Sequence, residues 1–289
     1  MTKLIFGCGY LGERVAQRWQ EAGHKVVVVT RSRERAEGFA RRGYETIVAD
    51  ITLPDTLINL PLAETVLFAI GFDRTVGQSI ETVYASGLRN VLAALPSQTG
   101  RVIYISTTGV YRDTEGDWID EETPPDPQRE GGRASLSAEL ALAEHPLGGS
   151  AAVLRLAGIY GPGRIPFRSL LRAGAPIPAA SEGWLNLIHV VDAASVVVAA
   201  AEATFDELGR GPRIYCVSDG HPVQRGDYYR EVARIIGAPE PALVAPQQNS
   251  PRAARAANDR RVRNVRMLAE LPVKLVFPDY RAGLAAILG

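Results

Sequence analysis

Two cysteines, Cys8 and Cys216, are all that the 289-residue chain holds. One pair cannot staple a disulfide scaffold, so the chain reads as a reduced, cytoplasmic protein. No Cys/His cluster has the spacing of a zinc site, and no metal is expected. Charge of either sign is also missing in excess, with 32 basic residues against 32 acidic ones. A nucleic-acid or membrane surface needs a basic surplus, so neither partner is expected. No apolar run reaches the roughly 18 residues a spanning helix needs. The longest candidate, Val190 to Thr204, is interrupted by Asp192 and Glu202 and reads as a core helix. A basic leader ahead of an apolar cleavage region is absent from the start. What remains is a chain that is 46% hydrophobic. That suits one large α/β domain with an appended lobe, or two modest domains.

Glycine, by contrast, is placed with purpose. GCGYLG occupies residues 7–12, after a short apolar run (Lys3 to Phe6) and before a helix-like segment (Leu11 to Ala22). This is the spacing of a dinucleotide-binding turn. Gly7 permits a tight turn, Gly9 lets the backbone approach a pyrophosphate, and Gly12 lets the helix pack closely. The helix N-terminus offers N–H groups and a positive dipole end to phosphate. Gly7, Gly9, Tyr10, Leu11 and Gly12 are therefore expected at a cofactor. The same glycines could also serve packing alone.

The pattern continues as alternating strands and helices. Lys25 to Thr30 holds four consecutive valines, the mark of a strand buried on both faces. No acid sits at its end; Arg31, Ser32 and Arg33 do. An acid there would take a ribose 2′-hydroxyl and favour NAD, whereas a basic residue accommodates the 2′-phosphate of NADP. Arg31, assisted by Ser32 or Arg33, thus points to NADP, with NAD as the alternative. Ser32 is also a fitting cap for a helix from Arg33 to Arg42, and the arginines could be ordinary solvated charges. Tyr44 to Ala49 is the third strand. Asp50, with Ile51 beside it, is placed to bond an adenine amino group or to cap the next turn. Thr65 to Ile70 is the fourth strand, and Gly71 lets the backbone pass near the cofactor. A long helix is expected over Val76 to Leu95, and Arg101 to Ser106 is the fifth strand.

More than twenty residues without a clear period follow, then a helix from Ala134 to Glu144. Loops this long are usually functional or disordered, so an active-site flap competes with a solvated acidic face, Trp118 serving as anchor or stacking surface. Ala151 to Leu156 is a sixth strand, and Tyr160 in the turn after it is a candidate cleft residue. Ile214 to Val217 resembles a last one. Helices are also expected at Gln224 to Ile236 and Tyr280 to Leu288, either side of a proline-rich linker, Pro239 to Pro251. Arg252, Arg255, Arg260, Arg261, Arg263 and Arg266 suggest a solvated face or a pocket for an anionic substrate. The alternation predicts a doubly wound parallel α/β sheet that binds its ligand at the strands' carboxyl ends.

Taken together, GCGYLG, ISTTGVY (105–111), RLAGIYGPGR (155–164), NLIHVVDAA (186–194) and NDRRVRN (258–264) resemble the NAD-dependent epimerase/dehydratase branch of the short-chain dehydrogenase/reductase superfamily. Within it the chain is most similar to atypical members that use GxGxxG in place of GxxGxxG; Phe6 stands at the earlier position. The resemblance implies a Rossmann domain over 1–165, with 186–218 returning to it. It also implies a smaller, mainly C-terminal substrate lobe over 166–185 and 219–289. The family's catalysts are a Ser/Thr and Tyr-x-x-x-Lys. Thr107 matches the Ser/Thr, but counting back from Ala138-Glu139 puts Gly131 at the Tyr and Ser135 at the Lys. The only lysines are Lys3, Lys25 and Lys274, so no shift of alignment supplies the missing one. The family's Val-Tyr-Gly is Val-Tyr-Arg here, at Arg112. Thr107 and Tyr111 are the remaining candidates for positioning and proton donation, and His189 falls in a structural Ile-His-Val segment. The resemblance implies a small-molecule oxidoreductase or epimerase, sugar-related or anionic in its substrate, monomeric or homodimeric. A dinucleotide-binding redox sensor or interaction module without turnover is the alternative.

Overall fold

Apolar runs with no polar face must be covered on both sides. Such runs, with a half-exposed edge strand (Glu45–Val48), build one seven-stranded parallel sheet: β1 (Thr2–Phe6), β2 (Lys25–Thr30), β3 (Glu45–Val48), β4 (Thr65–Phe68), β5 (Arg101–Thr107), β6 (Ala152–Leu156) and β7 (Arg213–Val217). Their order is β7-β6-β5-β4-β1-β2-β3, so the winding reverses between β1 and β4. That switch point is where a doubly wound sheet opens a crevice. The structure is a computed structural model describing residues 1–205, 211–248 and 259–289. Arg252, Arg255, Asn258 and the end of the proline-rich linker lie outside the described residues.

Helices cover both faces of the sheet and pack a third core of their own. They are α1 (Gly12–Glu21), α2 (Arg33–Ala40), α3 (Gly87–Ala94), α4 (Glu130–Glu144), α5 (Arg168–Arg172), α6 (Val190–Glu202), α7 (Arg225–Ile235), α8 (Val265–Glu270) and α9 (Tyr280–Leu288). Val15, Ala16 and Trp19 of α1 join Val196, Val197 and Ala200 of α6 in one core. Leu88, Val91 and Leu92 of α3 join Ala138 and Leu142 of α4 in the core on the opposite face. A third core, with Leu171, Tyr228, Val232 and Leu284, lies among α5, α7 and α9. Met267 and Leu271 pack into the first core, so the stretch around α8 belongs to the sheet side although it falls in the C-terminal segment. Among the described residues no helix is long and apolar enough to cross a membrane.

Two stretches depart from their sequence pattern. The helix expected from Val76 starts only at Ile80, because Gly77 takes a left-handed φ of 76° and Ser79 Oγ caps the backbone N–H of Thr82 at 3.0 Å. Its second turn, Thr82–Ser86, is a π-turn, a form often found at functional sites. The aperiodic stretch after β5 is not a free flap. Its two-residue strand Trp118–Ile119 pairs in parallel with Arg261–Val262, and α4 begins four residues earlier than expected. The arginine-rich tail does the pinning. Arg260, 6% exposed, donates to the carbonyls of Tyr111 and Arg112, Arg261 donates to Gly116 O, and Arg266 pairs with Glu122. Arg261 also lies over Trp118 and Trp184, 5.0 and 5.2 Å from the ring centroids. These described arginines hold a loop rather than line an anionic pocket.

Asp219, just past β7, is 3% exposed; its Oδ1 accepts from the His221 N–H at 2.9 Å and its Oδ2 has no partner. Burial, with Asp279 and Asp192 nearby, pushes its carboxyl up to about 7. The folded protein therefore holds this proton over a range where the unfolded chain has lost it. Stability attributable to Asp219 falls as pH rises from about 4 to about 7 and is flat above. Urea titrations across that range should show the decline, and Asp219→Asn should flatten it; an unchanged slope in the variant would refute the assignment.

Candidate functional site

The carboxyl ends of β1, β2, β4, β5 and β6 open into one cleft of 1190 Å³. Its wall begins at the glycine turn. Gly7 has φ 92°, and a Cβ there would meet Ala69 C at 2.4 Å, so β4 can approach β1 only past glycine. A Cβ on Gly12 would lie 2.4 Å from Gly7 O, which seats α1 directly on the turn. A Cβ on Gly9 would meet nothing within 4 Å. The close packing thus sits at Gly7 and Gly12, and Gly9 faces open space. Gly7, Gly9, Tyr10 and Leu11 line the cleft; Gly12 is buried behind them.

At the β2 end, Arg31 Nη2 meets Asp73 Oδ2 at 3.0 Å, both side chains being about half exposed. Asp73 is held below the usual carboxylate range by the Thr75 hydroxyl and N–H and by Arg31. Ser32 is the N-cap of α2, its Oγ accepting from Arg35 N at 3.2 Å, and neither Ser32 nor Arg33 lines the cleft. Arg35 does: one turn on from Arg31, its Nη2 donates to Cys8 O at 2.7 Å. The spacing of four residues was visible in sequence; that it bridges a cap onto the cleft side was not. Asp50 and Ile51 line the next stretch of wall. Asp50 Oδ1 takes the Thr52 N–H and hydroxyl at 2.9 and 2.8 Å, so it caps its turn while facing the cleft. Gly71 is open to the cleft, and the π-turn brings Tyr84 to it, the Tyr84 hydroxyl accepting from Phe72 N at 3.2 Å. Cys8 lines the wall too, but burial pushes its thiol up to about 12, leaving it unreactive.

The other end of the cleft is bounded by Thr107, Gly109, Arg129, Gly131, Gly132 and Ser135. Thr107 Oγ1 accepts from Gly109 N at 3.0 Å, so its own proton is free to turn elsewhere. A Cβ on Gly132 would lie 2.2 Å from Gly109 O; α4 is pressed against the turn after β5. At Gly131 the nearest atom to such a Cβ is Ile80 Cδ1 at 3.4 Å, so the position of the missing Tyr is left roomy. Ser135, 2% exposed, hydrogen-bonds the Tyr104 hydroxyl. Arg129 and Arg164, which sequence reasoning passed over, also line this cleft.

Three candidates lie elsewhere. Tyr111 is not brought to the cleft with Thr107. The short turn Thr108–Val110 sends it to the far side of β5, where it is 1% exposed and its hydroxyl accepts from Arg155 Nη1 at 2.6 Å. Burial raises its phenol, so it stays neutral. Tyr160, also buried, donates to Asp279 O at 3.3 Å beneath α9. His189 caps α6 through Nδ1, accepting from Val191 N, and packs on Phe277 with ring centroids 4.0 Å apart. Burial lowers it to about 4, so it is a neutral structural histidine. Among the described residues no group of three or more His, Cys, Asp and Glu could hold a metal.

Known proteins share this architecture along nearly the whole chain. A candidate NAD-dependent epimerase/dehydratase from Methylobacillus flagellatus is 32% identical with TM-score 0.75, covering 99% of this chain and 97% of its own. A conserved protein of unknown function from Silicibacter pomeroyi is 29% identical with TM-score 0.76 at the same coverage. Protein YeeZ of Escherichia coli K12 is 30% identical over 246 residues, 82% of this chain and 84% of that one. UDP-glucose 4-epimerase of Thermotoga maritima, at 18% identity and TM-score 0.80, shares the fold. The model of the NAD-dependent epimerase/dehydratase family matches residues 4–217, from β1 through β7, and with the glycine turn, the switch-point cleft and Thr107 inside that span the chain belongs to this family.

Proposed function

We propose that the chain is an NADP(H)-binding oxidoreductase or epimerase-like enzyme for a small anionic or sugar-related substrate, working in the cytoplasm without the usual Tyr and Lys. The observation that carries this is the single cleft running from Arg31 and Arg35 past the glycine turn to Thr107. Its residues fit a dinucleotide. Open space at Gly9 leaves room for a pyrophosphate, and α1 presents its N-terminus there. Arg31 and Arg35 supply the cations a 2′-phosphate requires. When bound, the nicotinamide supplies hydride chemistry. Thr107, its Oγ1 anchored by the Gly109 N–H, donates a hydrogen bond from its hydroxyl to a carbonyl oxygen and so orients the substrate. Arg129 adds positive charge near the reacting end, which favours an anionic group.

The test is a fluorescence titration with NADPH and NADH, then a screen of carbonyl compounds and nucleotide sugars for loss of nicotinamide absorbance. Thr107→Ala should lower turnover by about tenfold or more with NADPH affinity unchanged; intact turnover would remove Thr107 from the mechanism. One arrangement favours a second reading. With Gly131 and Ser135 in place of Tyr and Lys, and Tyr111 buried, the described residues of the cleft include no tuned proton donor of the family's kind. A sensor that binds the dinucleotide without turnover would show tight NADPH binding and no reaction across the whole screen.

A further inference from the structure

A contact across the cleft is left unexplained by substrate turnover. Tyr10, inside the glycine turn, donates its hydroxyl to Pro162 O at 3.1 Å, in the segment after β6. Gly161 is shaped around that hydroxyl, since a Cβ there would lie 2.4 Å from it and 2.7 Å from Val190 Cγ1. The Tyr10 ring carries a guanidinium from each side of the sequence, with Arg14 Cζ 4.3 Å and Arg164 Cζ 5.0 Å from its centroid. Arg14 is fixed further by donating to Tyr10 O at 2.6 Å. Arg164 lines the cleft, and among the described residues it makes no ion pair within 4.0 Å. A cation held in place by an aromatic face, without a carboxylate, is set for an anion from outside.

We propose that Tyr10 and Arg164 form a clasp that closes the Gly161–Arg164 segment against the glycine turn and holds a bound dinucleotide, Arg164 facing its pyrophosphate. The proposal rests on the reading of the cleft as a nicotinamide dinucleotide site. The clasp is a few weak contacts on a segment whose Pro162, Gly163 and Arg164 are exposed, so it can open to admit ligand and close behind it. Its effect belongs in the release rate rather than in the capture rate.

The experiment follows NADPH release by stopped-flow fluorescence, chasing loaded protein with excess NADP. Arg164→Ala should release NADPH about tenfold faster, and Tyr10→Phe, which keeps the ring and loses the hydroxyl bond, about threefold faster. Arg164→Lys should restore most of the loss. Adenosine 2′-monophosphate, which has no pyrophosphate, should bind wild type and Arg164→Ala alike. Thermal melting of the free variants reports whether each is folded, and Tyr10→Phe carries the test if Arg164→Ala is not. Release within twofold of wild type in folded variants would overturn the clasp while leaving the cofactor reading standing. Failure of the wild type to bind either NADPH or NADH would instead overturn the cofactor reading.

Discussion

Replacing Glu139 with leucine should cost about 3–5 kcal/mol of folding stability. Glu139 and Arg155 form a buried pair behind the cleft, 4% and 3% exposed. Arg155 Nη2 lies 2.6 Å from Glu139 Oε2, and its Nε is 3.1 and 3.2 Å from the two carboxylate oxygens. Ser106 Oγ donates to Glu139 Oε1 at 2.5 Å, and the remaining guanidinium nitrogen donates to Tyr111. Each partner is thus solvated by the other. Removing the carboxylate strands a guanidinium that cannot shed its proton. Removing the guanidinium strands a buried carboxylate, so Arg155→Met should be destabilised as well. The double variant Glu139→Leu/Arg155→Met should recover most of the loss, since an apolar pair of similar volume needs no hydration. Urea unfolding midpoints with unchanged slopes decide the matter. A Glu139→Leu cost below about 1 kcal/mol would show that water reaches this site.

Arg31→Ala should weaken NADPH binding by about tenfold or more, leaving NADH within twofold. A charge-assisted bond to phosphate contributes roughly 1.5–3 kcal/mol. Its present partner, Asp73, sits at a half-exposed surface where such a pair contributes about 0–1 kcal/mol. A doubly charged phosphate can displace that carboxylate, and Asp73→Asn should raise NADPH affinity slightly. Arg35 behaves differently, because it also holds the Cys8 carbonyl of the glycine turn. Arg35→Ala should weaken both dinucleotides, NADPH more. Equal losses for NADPH and NADH in Arg31→Ala would show that the 2′-position is read elsewhere.

Local pattern carried much of this architecture. Lys25–Thr30 is a strand at the expected boundaries because four valines leave no polar face for a helix or a turn. The glycine turn was legible because its constraint, backbone passing backbone, is a property of residues 7–12 and their immediate neighbours. The helix after β4 was legible as a helix, but its start was set by Ser79 and Gly77, and its π-turn has no periodic signature.

Tertiary structure decided which way side chains face once they leave a regular element. Thr107 and Tyr111 are four residues apart, yet the turn between them puts one in the cleft and the other in the interior beside Arg155. Arg260, Arg261 and Arg266 looked like free charge, and became loop anchors because residues 111–122 lie across from them. Arg164 reaches the cleft through an aromatic ring some 150 positions earlier in the chain. From its sequence alone, then, the chain determined its sheet, its glycine turn, its family and the absence of the usual Tyr-x-x-x-Lys. The fold decided which arginines meet the cleft, which hold loops and which tyrosine is buried, because those outcomes depend on partners distant in sequence that no local period encodes.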